Sequence, residues 1–262
     1  MPASNPCRMT ERSNLKTESC FTQDFLLSGR NISGHESCFL TDSDDSIYNT
    51  FMNTHITHRL IVLVLSYLLG CILTGEIVSH AVAHKPASEL GGSGNPGMAN
   101  ITSHLGIVPG LTVLFGDLLK CGLAMLMAYK LFPEEGRIIL FYAGLGASFG
   151  HCLPFWHQFK GGKAVATSSL ALFVFSPTWG LLSLAIGLII TLISGYFSLG
   201  GVSIPFFFLF PAYFVYGKEC FILAVILFLL CFFRHYPYGK NFPAGAGKKT
   251  YLLKIIAQKL KK

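Results

Sequence analysis

Charge is scarce in this chain. Asp, Glu, Lys and Arg make up only 13% of its 262 residues, about half the share of an average soluble protein. Long runs carry none at all. A soluble domain of this size needs a charged surface, so a bilayer is the expected solvent. No apolar run lies near Met1, and no signal peptide is expected. The eight cysteines show neither a CxxC pair nor a Cys/His metal spacing. They are expected to be small buried hydrophobes and free thiols, with no metal and no cofactor. Acidic residues are the scarcer sign, 13 against 20 basic ones, for a net charge of +7. The lysines gather near the ends of apolar segments. That distribution points to membrane topology and to anionic lipid or phosphate rather than nucleic acid.

What is present is a series of apolar segments behind a polar start. Residues 1–58 are rich in Ser, Thr, Asn and Asp without helical periodicity, and are expected to be a largely disordered extension. A spanning helix needs about 20 apolar residues. Candidates run over 60–83, interrupted only by Glu76, over 107–132, and over 138–155. The stretch 163–197 would reach about 52 Å as one helix, against a hydrocarbon core of about 30 Å. Ser176-Pro177 offers a break there, because a residue before proline is pushed out of the helical region. That gives a fourth and a fifth span. Residues 201–216 make a sixth, broken or shifted by Pro205 and Pro211, and 220–233 a short seventh. The expected fold is all-α, a polytopic helix bundle over 59–233 with a basic tail over 234–262. In the tail Leu252, Leu253, Ile256 and Leu260 share one helical face, the pattern of an amphipathic surface helix.

Span parity puts the loop at 92–100, the loop at 157–163 and the tail on one side. Lys85, Lys160, Lys163 and the tail lysines mark that side as cytoplasmic. The N-terminus is then outside, with Glu134, Glu135, Arg137, Lys218 and Glu219. A multi-pass cell-membrane location follows.

Two loops on the cytoplasmic side carry the chemistry. In the first, Gly91, Gly92, Ser93, Gly94, Asn95, Pro96, Gly97 and Asn100 offer backbone amides. Asn95-Pro96 reads as a helix N-cap and first helical residue, a setting for an anion. In the second, Lys160 and Lys163 bracket Gly161-Gly162 ahead of a helix that contains Thr167, again suiting phosphate. It is not a Walker A loop, since Ala164 stands where Ser or Thr would bind magnesium. Asp117 and Lys120, three apart on a helix, read as a satisfied pair inside the membrane. His151 and His235 sit at helix ends facing the same layer.

These residues resemble the acyl-phosphate-dependent glycerol-3-phosphate acyltransferases of bacterial membranes, over about 60–249. Gly150-His151, Pro154 and the run from Phe159 to Thr167 carry the central motif. Gly92-Ser93-Gly94-Asn95, Gly97 and Asn100 carry the first. Asp117-x-x-Lys120, the short turn Ser198-Leu199 and Arg234-His235 complete the set. The resemblance implies transfer of a fatty acyl group from acyl phosphate to the sn-1 hydroxyl of glycerol 3-phosphate. An acyl-phosphate-producing enzyme would be a partner, and membrane lipid the surroundings. It further implies catalytic roles for Ser93, Lys163 and His235, with the other motif residues, Ser198 and Arg234 included, binding substrate. The chain departs from the family where arginines are usual, near Ser88 and at Ser103. It departs again at Tyr238 and Gly247, where Asn and Glu are usual; Asn241 and His104 are candidate replacements for the lost Asn and Arg. No His-x-x-x-x-Asp occurs, so the dyad of the other glycerolipid acyltransferases is absent. A transporter of a small organic phosphate, or an inactive lipid-binding paralogue, remains an alternative.

Overall fold

The computed structural model describes residues 42–239. The chain divides into two compact units, Met1–Tyr48 and Asn49–Lys262, and the second holds the membrane bundle. The described residues form nine α-helices and no strand. They are α1 (Asp42–Gly70), α2 (Thr74–Ala83), α3 (Met98–Leu105), α4 (Ile107–Leu131), α5 (Ile138–Cys152), α6 (Val165–Phe175), α7 (Pro177–Ser194), α8 (Phe197–Phe214) and α9 (Gly217–Gly239). Five stretches are long and apolar enough to cross a membrane: Asn53–Ala83, Ile107–Leu131, Ile138–His157, Pro177–Ser194 and Phe197–Phe214. Helix α6 has 11 residues and reaches only about 16 Å, while α9 carries the apolar run 220–233.

The break expected at Ser176-Pro177 is there: α6 stops at Phe175 and α7 starts on Pro177. Three expectations shift. Helix α1 begins at Asp42, inside the stretch read as an extension. Asp42, Asp44 and Asp45 favour a helix N-terminus through its dipole, so a polar composition there does not oppose a helix. The rest of the extension, and the tail with its amphipathic pattern, Asn241 and Gly247, lie outside the described residues. The first span is not continuous, because residues 71–73 interrupt it between α1 and α2. Helix α8 begins at Phe197 and runs through both Pro205 and Pro211. Packing against flanking helices tolerates such prolines in a membrane bundle.

Glycine sets how closely the helices cross. A Cβ on Gly70 would strike the Ala147 carbonyl, and one on Gly150 the Tyr67 carbonyl. Gly146 and Gly150, four apart on α5, thus let α1 approach backbone to backbone, a small-residue packing typical of bilayers. Beside this crossing lies a buried core of Phe141, Leu172, Phe175, Ile204, Phe208 and Leu227. Phe141 meets Phe175 at 5.1 Å and Phe208 edge-on at 6.1 Å. Large apolar side chains also face outward, Val108 and Phe115 on α4 among them, as a lipid-facing surface requires. The five described cysteines are free and buried.

The two ends of the bundle differ. At one end Arg59 binds Glu219 at 2.7 Å and Glu135 at 3.3 Å, and His55 contacts Glu135 at 2.6 Å. Glu135 and Glu219, two of the residues expected on the outer face, thus meet through Arg59. The glycine loops and the Arg234 end of α9 gather at the other end.

Candidate active site

The break at 71–73 positions the centre of the site. The Leu73 carbonyl accepts the Glu76 and Ile77 amides, but those of Cys71 and Ile72 take donors from outside the helix, and unsatisfied carbonyls are costly in a bilayer. The Lys120 ammonium donates to the Ile72 carbonyl at 2.7 Å, and the Trp156 indole donates to that of Cys71 at 2.8 Å. Lys120 also holds Asp117 Oδ1 at 2.9 Å and His151 Nδ1 at 2.8 Å. Its three donors therefore have three acceptors. A lysine only donates, so His151 Nδ1 accepts and the ring proton sits on Nε2. Thr74, just past the break, donates to Asp117 at 3.4 Å. Asp117, Lys120 and His151 are all buried, and the pair expected from their spacing is a triad.

The triad supports the second loop from beneath. Gly161 donates its amide to the Cys152 carbonyl at 3.1 Å, and Gly162 to that of His151 at 2.8 Å. These amides are thus committed to the end of α5 rather than offered to an anion. A Cβ on Gly162 would strike the His151 ring, which is why glycine stands there. From α9, Arg234 donates through Nε to the Gly162 carbonyl at 3.0 Å and through its terminal NH2 to that of Gly161 at 2.6 Å. Arg234, expected to bind substrate, clamps the loop through these two bonds. Gln158, Phe159 and Ala164 take left-handed conformations near φ 55°, a strain that non-glycine residues carry at functional sites. Lys163 is half-buried at the head of α6. Burial, and secondarily the Arg234 guanidinium, pushes its ammonium pKa down to about 8. Lys160 is exposed and reaches Gln158 at 3.2 Å. Thr167 is buried, bonded to Ser148 at 3.0 Å and to the Ala164 carbonyl, and so ties α6 to α5.

In the first loop Gly91, Gly92 and Gly94 all have positive φ, 97°, 63° and 61°, which only glycine adopts freely. The α3 N-cap is Gly97, two residues later than the expected Asn95, and it gives no side-chain cap bond. Asn95 instead donates its amide to Ser93 Oγ at 3.4 Å. Asn100 Oδ1 accepts the Ser93 amide at 3.3 Å, while Asn100 Nδ2 is buried without a hydrogen-bond partner. Ser103 turns back onto the carbonyls of Ala99 and Asn100. His104 lies against Gly91 and Gly92, so it is the basic side chain at this loop.

His235 follows Arg234 and is buried. Its Nδ1 bonds the Cys231 carbonyl at 2.7 Å, which leaves Nε2 as the acceptor of a neutral ring. That nitrogen would lie 3.2 Å from a Cβ on Gly201 of α8. Ser198, expected in a turn, stands in the first turn of the same helix. The structure therefore joins Asp117, Lys120, His151, Gly161, Gly162, Lys163 and Arg234 into one set. His235 adjoins it through α9, and Ser93 stays in the first loop with Asn95 and Asn100. Sequence reasoning missed Trp156, Thr74 and the break itself. Gly70, just before the break, was the one local signal.

Residues 60–243 match the family model described as glycerol-3-phosphate acyltransferase. The chain belongs to the glycerol-3-phosphate acyltransferase family. It is 35% identical over 198 residues to glycerol-3-phosphate acyltransferase 1 of Lactobacillus johnsonii, covering 76% of this chain and 95% of that one. The Lactobacillus acidophilus protein of the same name is 35% identical over 206 residues, 77% and 97% of the two chains. The fold is similar to the crystal structure of PlsY (YgiH), an integral membrane glycerol 3-phosphate acyltransferase, in its glycerol 3-phosphate form. The TM-score is 0.66 at 30% identity, over 76% of this chain and 98% of that one. Its lysophosphatidic acid form gives 0.63, over 73% and 94%. This chain is thus an integral membrane acyltransferase.

Proposed function

We propose that the protein transfers a fatty acyl group from acyl phosphate to the sn-1 hydroxyl of glycerol 3-phosphate, giving lysophosphatidate and inorganic phosphate. The observation that carries this is Lys163, a half-buried ammonium directly after a glycine pair that α5 and Arg234 hold rigid. It stands at the same end of the bundle as a first loop with a buried, unpaired amide donor at Asn100. Two phosphate-bearing substrates suit two such loops. Asn100 Nδ2 and the uncapped α3 N-terminus would take the glycerol 3-phosphate phosphate. Lys163 and Ser93 would stabilise charge on the acyl phosphate and on the tetrahedral oxyanion. The sn-1 oxygen attacks the acyl carbon, the carbon–oxygen bond to phosphate breaks, and phosphate leaves with the electron pair. The hydroxyl proton passes to His235 Nε2 or to the departing phosphate. An apolar groove of about 620 Å³ between Thr74, Val108, Leu111, Phe115 and Leu119 is a bed for the acyl chain. A transporter would use the carbonyls of a broken helix to coordinate ions, but here Lys120 and Trp156 occupy those of Ile72 and Cys71.

Purified protein given labelled glycerol 3-phosphate is expected to form lysophosphatidate with acyl phosphate, and not with acyl-CoA or acyl carrier protein. Turnover is expected to survive EDTA. Equal rates with acyl-CoA would sink the donor assignment. An enzyme that converts an activated acyl group to acyl phosphate must then supply the donor.

The proposed topology has seven crossings, the N-terminus outside and the tail cytoplasmic. In intact cells a cysteine placed at Asn5 should react with an impermeant thiol reagent, while one at Lys262 should not. The reverse pattern would invert the protein.

A further inference from the structure

We propose that Glu76 and His157 form a strap between the two glycine-rich loops, so that occupancy of one loop sets the position of the other. Neither residue belongs to the substrate-binding set. Glu76 lies in the first turn of α2 and is buried at 5% exposure. Its Oε2 accepts the Ala87 amide at 2.9 Å, at the entrance to the first loop. Its Oε1 is buried with no hydrogen-bond partner, a costly state for a carboxylate oxygen. His157 Nε2, from the second loop, stands 4.0 Å from that oxygen, just beyond hydrogen-bond reach. The other ring nitrogen, Nδ1, contacts the Lys160 carbonyl at 2.5 Å.

Contacts thus run from Lys160 to His157 and from Glu76 to Ala87, with a single gap of 4.0 Å between His157 and Glu76. A ligand that draws Lys160 inward, ahead of the anchored Gly161-Gly162 pair, carries the His157 ring with it. With Nδ1 donating to the Lys160 carbonyl, Nε2 can donate to Oε1 only as part of an imidazolium, and a displacement of about 1 Å brings that cation within charge-assisted hydrogen-bond range. The carboxylate then transmits the shift to Ala87, and from there to Gly91–Gly94. The helix break keeps the rest in place. Trp156 is pinned to the Cys71 carbonyl, and Gly75 allows the Pro96 carbonyl of the first loop to pass against α2. Glu76 and His157 are positioning residues, acting through the loops and not on the reacting atoms.

The strap rests on the reading that both loops take substrate phosphate, and two measurements separate the two ideas. The first is kinetic, on full-length protein in bilayers. Glu76→Gln, which retains an acceptor for Ala87, and His157→Gln should each raise KM for glycerol 3-phosphate about threefold to tenfold, the scale of one hydrogen bond. The kcat should move less than KM, and the double variant should be no worse than the worse single. Multiplicative losses in the double variant would show that the residues act independently and would overturn the strap. The second is hydrogen exchange with saturating inorganic phosphate as the ligand, because without one His157 stands 4.0 Å from Glu76 and the strap is open. His157→Gln, a change on the second loop, should speed exchange of the bonded Ser93, Gly94 and Asn95 amides in the first loop. Unchanged exchange there overturns the proposal even if KM rises. Faster exchange in a protein whose wild type transfers no acyl group keeps the strap and removes the acyltransfer reading.

Discussion

Asp117→Ala is expected to destabilise the protein by about 3–5 kcal/mol, the cost of leaving one partner of a buried ion pair without the other. Lys120 would keep the Ile72 carbonyl and His151 Nδ1 but lose its counter-charge inside the bundle. Thr74 would lose its acceptor as well. The double variant Asp117→Ala/Lys120→Met should be milder than Asp117→Ala alone, because it removes the stranded charge together with its partner. Asp117→Asn should be mildest, since the amide oxygen still accepts from Lys120 and Thr74. Thermal unfolding in micelles orders the three. A loss below about 1 kcal/mol for Asp117→Ala, the size of an exposed pair, would show that water reaches the cluster.

The same cluster marks what the sequence made legible. The pair Asp117–Lys120 follows from its spacing, and the break at Ser176-Pro177 follows from proline sterics. Family membership follows from the motif run between Phe159 and Thr167. These are local signals. The break at 71–73 is not local. No proline marks it, and it exists because Lys120 and Trp156, 48 and 85 residues away in sequence, bring donors to the carbonyls it exposes. Arg234 is similar. The resemblance implies substrate binding for it, and only the folded chain puts the Gly161 and Gly162 carbonyls within its reach. The glycines of the second loop suggest amide donors for phosphate. They are instead required by the His151 ring and carbonyl lying where a Cβ would stand. In the first loop positive φ values give Gly91, Gly92 and Gly94 a conformational reason to be glycine. The helix starts two residues later than expected, after a Gly97 N-cap.

Lys163→Ala is expected to reduce catalytic efficiency for glycerol 3-phosphate, or for the acyl donor, roughly tenfold to 150-fold. That is the loss of a charged hydrogen bond worth about 1.5–3 kcal/mol. Lys163→Arg should rescue only in part, because a broad planar guanidinium must enter a space walled by backbone. The pH dependence separates this role from a mere topology charge. Burial lowers the Lys163 pKa to about 8, so the free enzyme loses the ammonium as pH rises through that value. The kcat/KM, which reports the free enzyme, should fall there. The fall should move to higher pH in kcat, because bound phosphate favours the charged form. Stability should move the other way. The unfolded lysine, with its ordinary pKa near 10.5, binds more protons than the folded one between about pH 8 and 10.5. The penalty of burying the ammonium is thus present in full below about pH 8 and lifts as pH climbs through that window. A rising midpoint of unfolding alongside falling kcat/KM, both abolished in Lys163→Ala, is the signature expected of this lysine. An Ala variant with wild-type kinetics for both substrates would remove Lys163 from the site, and with it the main support for phosphate binding at the second loop.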